Sequence, residues 1–433
     1  MLRPAAASSD RRPGKTSLDH HALILLFAQC GVMLLVAVVC GQVVRRFQQP
    51  AVLGELLGGI LLGPTVFGTL APGSFERLFP ADKSLALARE SLISVGMLFF
   101  LFVAGLEVKL SQLRRRGMPV ALTSVLGLLV PMGLGIASVR FFPGVWGPLA
   151  NHGGWAFSIF VGTALSISAL PVIARILMDL QLIQRELGIV VMTAAALNDV
   201  IGWTLFAIIL NVLIPAQAVA ASARRETMLG DLGLLAGFAV VVLLAGRWLS
   251  RPALLWMRAH LSWPSAFIGI TTVVMLGAAA VTESLGIHAV FGAYLAGIAL
   301  GQTLEPGETN EAHDVIFQFA VSFFAPLYFV SIGLKANFAR DFDLPLVLLV
   351  LVVACVGKVG GASLGAWLGG MRTREAFAVG FGMNARGAME IILASVALES
   401  GLIDQRVFVA LVVMALVTSA LGGPAMKRLV RER

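Results

Sequence analysis

Charge is scarce in this 433-residue chain: Asp, Glu, Lys and Arg together make up 13% of it, against 58% hydrophobic residues. That balance excludes a soluble globular domain. Cysteine is almost absent, and Cys30, Cys40 and Cys355 each lie in an apolar run without ligand spacing, which excludes a disulfide framework and a thiolate metal site. No P-loop, dinucleotide fingerprint or metalloprotease motif is present, so neither a cofactor nor an enzyme is expected. The net charge of +8 does not mark a nucleic-acid partner, because the Lys and Arg residues fall in short loops and at the ends, as membrane topology signals do.

What is there is a succession of apolar runs, each long enough to cross a bilayer. Runs of this length exclude a barrel, whose strands are shorter and alternate. The expected fold class is therefore an all-α polytopic membrane protein with about 13 transmembrane helices. The spans fall near 21–43, 50–68, 89–107, 118–141, 155–178, 187–213, 229–249, 264–282, 286–303, 313–334, 344–370, 376–398 and 405–426. Residues 1–20 read as a disordered tail, 21–427 as one transmembrane domain and 428–433 as a short cytoplasmic tail. Lys and Arg are denser in loops on the C-terminal side, which favours an external N-terminus and a cytoplasmic C-terminus, although Arg3, Arg11, Arg12 and Lys15 in the tail argue the other way.

The halves resemble each other. Gly54, Gly59, Ile60 and Gly63 in G-E-L-L-G-G-I-L-L-G match Gly292, Gly297, Ile298 and Gly301 in G-A-Y-L-A-G-I-A-L-G. In the next span, Phe102-Val103-Ala104-Gly105-Leu106 aligns with Val330-Ser331-Ile332-Gly333-Leu334. The copies stand an odd number of spans apart, which makes them inverted-topology repeats, about 21–213 and 264–427, with 229–249 as a linker helix. Chance matching in Gly-rich packed helices is the competing account.

Carried forward, the repeat pairs the fifth span with the twelfth, and both are interrupted. The fifth carries Gly162, Thr163, Ser166, Ser168 and Pro171; the twelfth carries Gly380, Gly382, Asn384, Arg386 and Gly387. Gly and Pro break the helical ladder, and neighbouring hydroxyls and amides serve the freed backbone groups. Paired discontinuous helices point to a midplane binding site, whereas ordinary kinks are the simpler alternative.

In the sixth span, Asn198 and Asp199 sit amid T-A-A-A-L-N-D-V-I-G-W. A carboxylate at that depth costs a few kcal/mol or more and persists where water, an ion or a countercharge reaches it. A structural Asp paired with a cation is the plainer reading. Lys358, flanked by Gly357, Gly360 and Gly361, and Arg386 are the other deep charges. A Lys358–Asp199 pair could break and reform as a cation arrives. Arg386 suits a fixed countercharge, and Glu390 one turn later makes a purely structural pair equally reasonable. Asp199 would hold either a proton or a metal cation, with Thr163, Ser166, Ser168 and Asn198 completing an oxygen shell. Glu55, Glu107, Arg175 and Glu283 lie toward span ends and are expected to snorkel or pair. Glu305, Glu308, Glu311, His313 and Asp314 read as a solvated acidic loop, with a pH sensor as the sharper alternative.

With those residues in view the chain resembles the monovalent cation:proton antiporter-2 family, and within it the plant-type exchangers and their bacterial relatives. The resemblance rests on P-A-V-L-G-E-L-L-G-G-I-L-L-G-P-T (50–65), G-T-A-L-S-I-S-A-L-P-V-I-A-R-I-L (162–177), A-A-A-L-N-D-V-I-G-W (194–203), G-I-H-A-V-F-G-A-Y-L-A-G (286–297), P-L-Y-F-V-S-I-G-L-K (326–335) and M-N-A-R-G-A-M-E-I-I-L (383–393). It implies a sodium/proton antiporter-like fold with two crossed discontinuous helices, a homodimer of protomers with a dimerisation and a core domain, and a bacterial inner membrane. It also implies Asp199 as the carboxylate carrying Na+ or K+ and H+, Asn198 beside it, Lys358 as the core lysine, and Thr163 to Pro171 crossing Asn384 to Gly387. Two departures stand out. Asn198 replaces the first Asp of electrogenic relatives, and Ala194 replaces a Glu that pairs with the crossing arginine in several Asn-Asp exchangers. A gated potassium-efflux protein with a separate regulatory subunit is the alternative activity; an organic-anion symporter fits poorly, since the carboxylate would repel its substrate.

Overall fold

The computed structural model describes residues 20–431 except 48, 50, 107–116, 153, 183–184, 210–236, 286–287, 302–309 and scattered positions between 238 and 264. Its helices of ten residues or more are α1 (His20–Arg46), α2 (Ala51–Leu62), α3 (Lys83–Leu106), α4 (Gly117–Phe141), α5 (Gly154–Ser166), α6 (Leu170–Asp179), α7 (Glu186–Ile208), α8 (Ser265–Ser284), α9 (Ala289–Gly301), α10 (Asn310–Phe319), α11 (Ala325–Lys335), α12 (Leu344–Leu368), α13 (Thr373–Met383), α14 (Ala388–Glu399) and α15 (Gln405–Arg431).

Among the described residues, nine stretches are long and apolar enough to cross a membrane, and α5 and α9 are shorter apolar helices. The expected fifth and twelfth spans are each split, into α5 and α6 and into α13 and α14. The expected linker 229–249 lies largely outside the described residues, as do residues 1–19 and Glu107. Large apolar side chains on the outer surface, Phe27 at 71% exposure and Leu35 at 63% among them, suit a hydrocarbon surround. A five-residue π segment, Ala320–Phe324, joins α10 to α11; Pro326, lacking an N–H, follows at once, and a π-bulge absorbs that kind of break in the ladder.

The helices sort into two bundles. An outer bundle packs α2 on α1 and α11, α3 on α9 and α11, and α8 on α9; a core bundle packs α12 on α4 and α13, α4 on α5 and α7, and α15 on α13 and α14. Each bundle draws on both halves of the chain.

Reciprocal close approaches explain why the repeat is written in glycine. A methyl group built on Gly59 would lie 2.4 Å from the Val330 carbonyl oxygen, and one on its counterpart Gly297 would lie 2.1 Å from that of Phe102. Val330 and Phe102 are themselves counterparts, so each half inserts its second helix against the third helix of the other. Gly54 meets Cys40 and Gly292 meets Ala278 in the same way, at 2.3 and 2.4 Å from the carbonyl oxygens. Only a residue without Cβ permits backbones this close, and in lipid such packing replaces the hydrophobic drive.

Two expectations about peripheral charges need correction. Glu55 does not snorkel; it is buried in α2, and one carboxylate oxygen has no hydrogen-bond partner among the described residues. The acidic stretch is not all loop, since Glu311, His313 and Asp314 belong to α10. Glu283 does act at a span end, its carboxylate accepting from the Ala289 N–H at 2.8 Å where α9 begins.

Candidate functional site

The two broken helices cross at their breaks. Residues 167–169 separate α5 from α6, and residues 384–387 separate α13 from α14. The Ala169 N–H donates to the Ala385 carbonyl at 3.0 Å, and the Ser168 hydroxyl donates to the Met383 carbonyl at 2.9 Å. Each break therefore uses backbone groups that the other has freed from its own ladder, as a non-helical segment inside a membrane requires.

Where α5 stops, its last carbonyls lose their intrahelical donors and present the negative end of the helix dipole. Two cations answer them. Arg386 donates to the Ala164 carbonyl at 2.9 Å and to the Leu165 carbonyl, and forms an ion pair with Glu390 at 3.0 Å. Glu390 stands in the first turn of α14, where a carboxylate also complements the dipole. The Ser419 hydroxyl of α15 donates to the Arg386 carbonyl. The arginine that lacks a glutamate at position 194 thus finds Glu390 and two helix-end carbonyls.

Lys358 reaches the crossing from α12. A methyl on Gly357, Gly361 or Gly365 would lie 2.7 Å from the Pro131 Cα or 2.4 and 2.3 Å from the Leu126 and Leu122 carbonyl oxygens, so glycine at every fourth position seats α12 directly on α4. Gly360, expected to help, faces open space. Seated there, Lys358 Nζ donates to the Gly127 carbonyl at 2.9 Å and to the Ser166 carbonyl. In the amide orientation that satisfies both sides, Asn198 Oδ1 accepts from Lys358 Nζ at 3.1 Å while its nitrogen donates to the Ser124 hydroxyl and carbonyl at 2.9 and 3.0 Å. Those three acceptors use all three ammonium donors. The Lys358–Asp199 pair that could break and reform is apart in this arrangement; the two interact electrostatically without touching.

Asp199 itself is 2% exposed, and its Oδ1 is buried with no hydrogen-bond partner among the described residues. It shares a face of α7 with Gly202 and Trp203, three and four residues on. A methyl on Gly202 would lie 2.4 Å from Ile167 in the first break, which brings this face of α7 against the crossing. The remaining candidates are all buried. Thr163 and Ser166 donate to the Ile159 and Thr163 carbonyls at 2.8 Å, which leaves their oxygen lone pairs as acceptors. Asn384 donates to Cys355 Sγ at 3.5 Å, and its Oδ1 is unpartnered among the described residues. No group of three His, Cys, Asp or Glu side chains suited to a resident metal occurs among the described residues.

A family model described as "Sodium/hydrogen exchanger, transmembrane" matches residues 33–432. The chain belongs to the sodium/hydrogen exchanger family. Over 97% of its length it is 33% identical to Cation/H(+) antiporter 18 of Arabidopsis thaliana, but it spans about half (50%) of that relative's length. It is 30% identical to the Na(+)/H(+) antiporter NhaS4 of Synechocystis sp. over 94% of this chain and 97% of that one. In fold it is similar to the sodium proton antiporter MjNhaP1 from Methanocaldococcus jannaschii, with a TM-score of 0.64, 16% identity, and 95% and 99% of the two chains covered. The family is one of transporters, and the protein is an integral multi-pass membrane protein. Its crossed half-helices are those of the antiporter fold.

Several residues that build the site were not singled out from sequence. Ser124, Cys355, Ser419, Trp203 and the Gly127 carbonyl look like ordinary members of apolar spans. The one signal available was the presence of hydroxyls within such spans, which in Ser124 and Ser419 prove to be joined to the site.

Proposed function

We propose that this exchanger-family protein is a secondary antiporter that trades Na+ or K+ for H+, with Asp199 carrying the two in turn. One observation carries the reading: in a site where Arg386 and Lys358 are already engaged by carbonyls, Glu390 and Asn198, Asp199 has a buried carboxylate oxygen without a hydrogen-bond partner and, unlike Glu390, no ion pair among the described residues. A bare carboxylate is costly in that setting, so it takes either a proton or a metal cation, and taking one excludes the other. Exclusion is the coupling. Oxygens of Thr163, Ser166, Ser168 and Asn198 supply the hard ligands an alkali cation prefers. Arg386 and Lys358 offset the helix-end dipole at the crossing, so the broken segment stays intact while the charge on Asp199 changes. Movement of the core bundle against the outer bundle would expose Asp199 to each side in turn. We assign the external side to the N-terminus, the cytoplasm to the C-terminus, and a homodimer to the assembly.

Inside-out vesicles with an imposed proton gradient test this. Adding sodium or potassium is expected to alkalinise the lumen promptly, and Asp199→Asn, which cannot change charge, is expected to abolish that response with an unchanged size-exclusion profile. Exchange retained by Asp199→Asn removes the carboxylate from the mechanism. Cation flux without proton movement replaces the antiporter with the channel reading.

A further inference from the structure

The face of α7 that carries Asp199 ends on a second set of unsatisfied polar atoms. Trp203, one turn after Asp199, and Tyr294 of α9 are 2% and 1% exposed. The indole Nε1 and the phenol oxygen are both buried without a hydrogen-bond partner among the described residues, as is Asp199 Oδ1. Buried Trp and Tyr normally find partners for these groups, so three orphans gathered on one patch point to a ligand or water that completes them.

The geometry brings them together. The Trp203 and Tyr294 rings lie 6.1 Å apart at 39°, and Tyr294 interacts electrostatically with Asp199. The Tyr294 backbone is held firmly, since a methyl on Gly105 of α3 would lie 2.3 Å from its carbonyl oxygen. Tyr294 belongs to the outer bundle, whereas Asp199 and Trp203 belong to the core bundle. Every other candidate ligand, Thr163, Ser166, Ser168, Asn198 and Asn384, is also in the core. The Tyr294 hydroxyl therefore differs in kind: it is an oxygen offered to the Asp199 site from the opposite bundle.

We propose that Tyr294 is a specificity-determining residue, its hydroxyl oxygen being the ligand that the outer bundle contributes to the cation carried by Asp199, with Trp203 as the positioning residue that orients its ring. The proposal rests on the antiport reading. A hydroxyl oxygen can accept a cation while its proton turns elsewhere, whereas the indole N–H is a donor only and cannot be a ligand. Because the oxygen is present only when the two bundles are in register, it would grade alkali cations by size at the moment of occlusion.

Tyr294→Phe keeps the ring and deletes one oxygen. In vesicles, the KM for the preferred cation is expected to rise about tenfold, the scale of one lost bond to a charged group. The Na+ to K+ preference should move with it, while the pH dependence at saturating cation stays as in the wild type. In detergent, adding the preferred chloride salt, against choline chloride, is expected to raise the melting temperature of the wild type, and to raise it less in Tyr294→Phe; this reading needs no transport. Trp203→Phe, which retains a ring, is expected to give a smaller rise in KM of the same direction. Cation KM values and salt-dependent melting within twofold of wild type in Tyr294→Phe would overturn the proposal, as would a shifted pH profile with unchanged cation KM. Loss of exchange in Asp199→Asn with a wild-type Tyr294→Phe defeats only this inference; exchange retained by Asp199→Asn defeats the antiport reading itself.

Discussion

Removing the Arg386 side chain should do more harm than removing its whole ion pair. Arg386 is fully buried and holds Glu390, also buried, at 3.0 Å, besides the Ala164 and Leu165 carbonyls. Arg386→Met leaves Glu390 as an uncompensated buried charge, which costs about 3–5 kcal/mol, and two helix-end carbonyls short of donors, at about 1–3 kcal/mol each. Against a total stability of roughly 5–15 kcal/mol, that loss disables folding or nearly so. Arg386→Met combined with Glu390→Leu removes the stranded charge and retains only the carbonyl penalty, so it should recover about 3–5 kcal/mol over the single variant. Thermal melting in detergent, followed by fluorescence-detected size exclusion, measures the order: wild type highest, the double variant between, Arg386→Met lowest. A double variant no better than Arg386→Met would show that the pair is not what makes the single loss severe. If the double variant folds and still exchanges cations in vesicles, the pair is scaffolding for the crossing rather than part of the transport step.

Adjacent glycines on α12 should respond in opposite ways. Gly361→Ala forces a methyl to 2.4 Å from the Leu126 carbonyl oxygen and is expected to lower stability by about 1–3 kcal/mol, while Gly360→Ala meets nothing within 4 Å and should be neutral or gain up to about 1 kcal/mol in the same melting assay.

Much of the architecture could be read from composition and pattern, because a bilayer leaves the chain few choices. Long apolar runs must be helices, and the Gly, Ser, Pro and Asn interruptions in G-T-A-L-S-I-S-A-L-P and G-F-G-M-N-A-R-G mark where two of them break. The paired glycines of the second and ninth spans likewise carry the repeat, since their spacing reflects backbone contacts that tolerate no side chain. Asp199 stands out for the same reason: a lone acid amid apolar residues is visible without coordinates.

Apart from the Arg386–Glu390 pair, which its one-turn spacing already marks, tertiary structure decided who partners whom. Lys358, which could pair with Asp199, here holds the Gly127 and Ser166 carbonyls and Asn198. Arg386 turned to carbonyls more than two hundred residues away as well as to Glu390. Backbone carbonyls are the same at every residue, so nothing in the amino-acid order marks which of them a broken helix will leave exposed, or which cation will reach it. The approach of Tyr294 to the Asp199 face is equally unreadable, for it depends on the register between two bundles, at residues far apart in the amino-acid order. Amino-acid order settles which charges are buried; the packing of the bundles settles which of them remains without a partner.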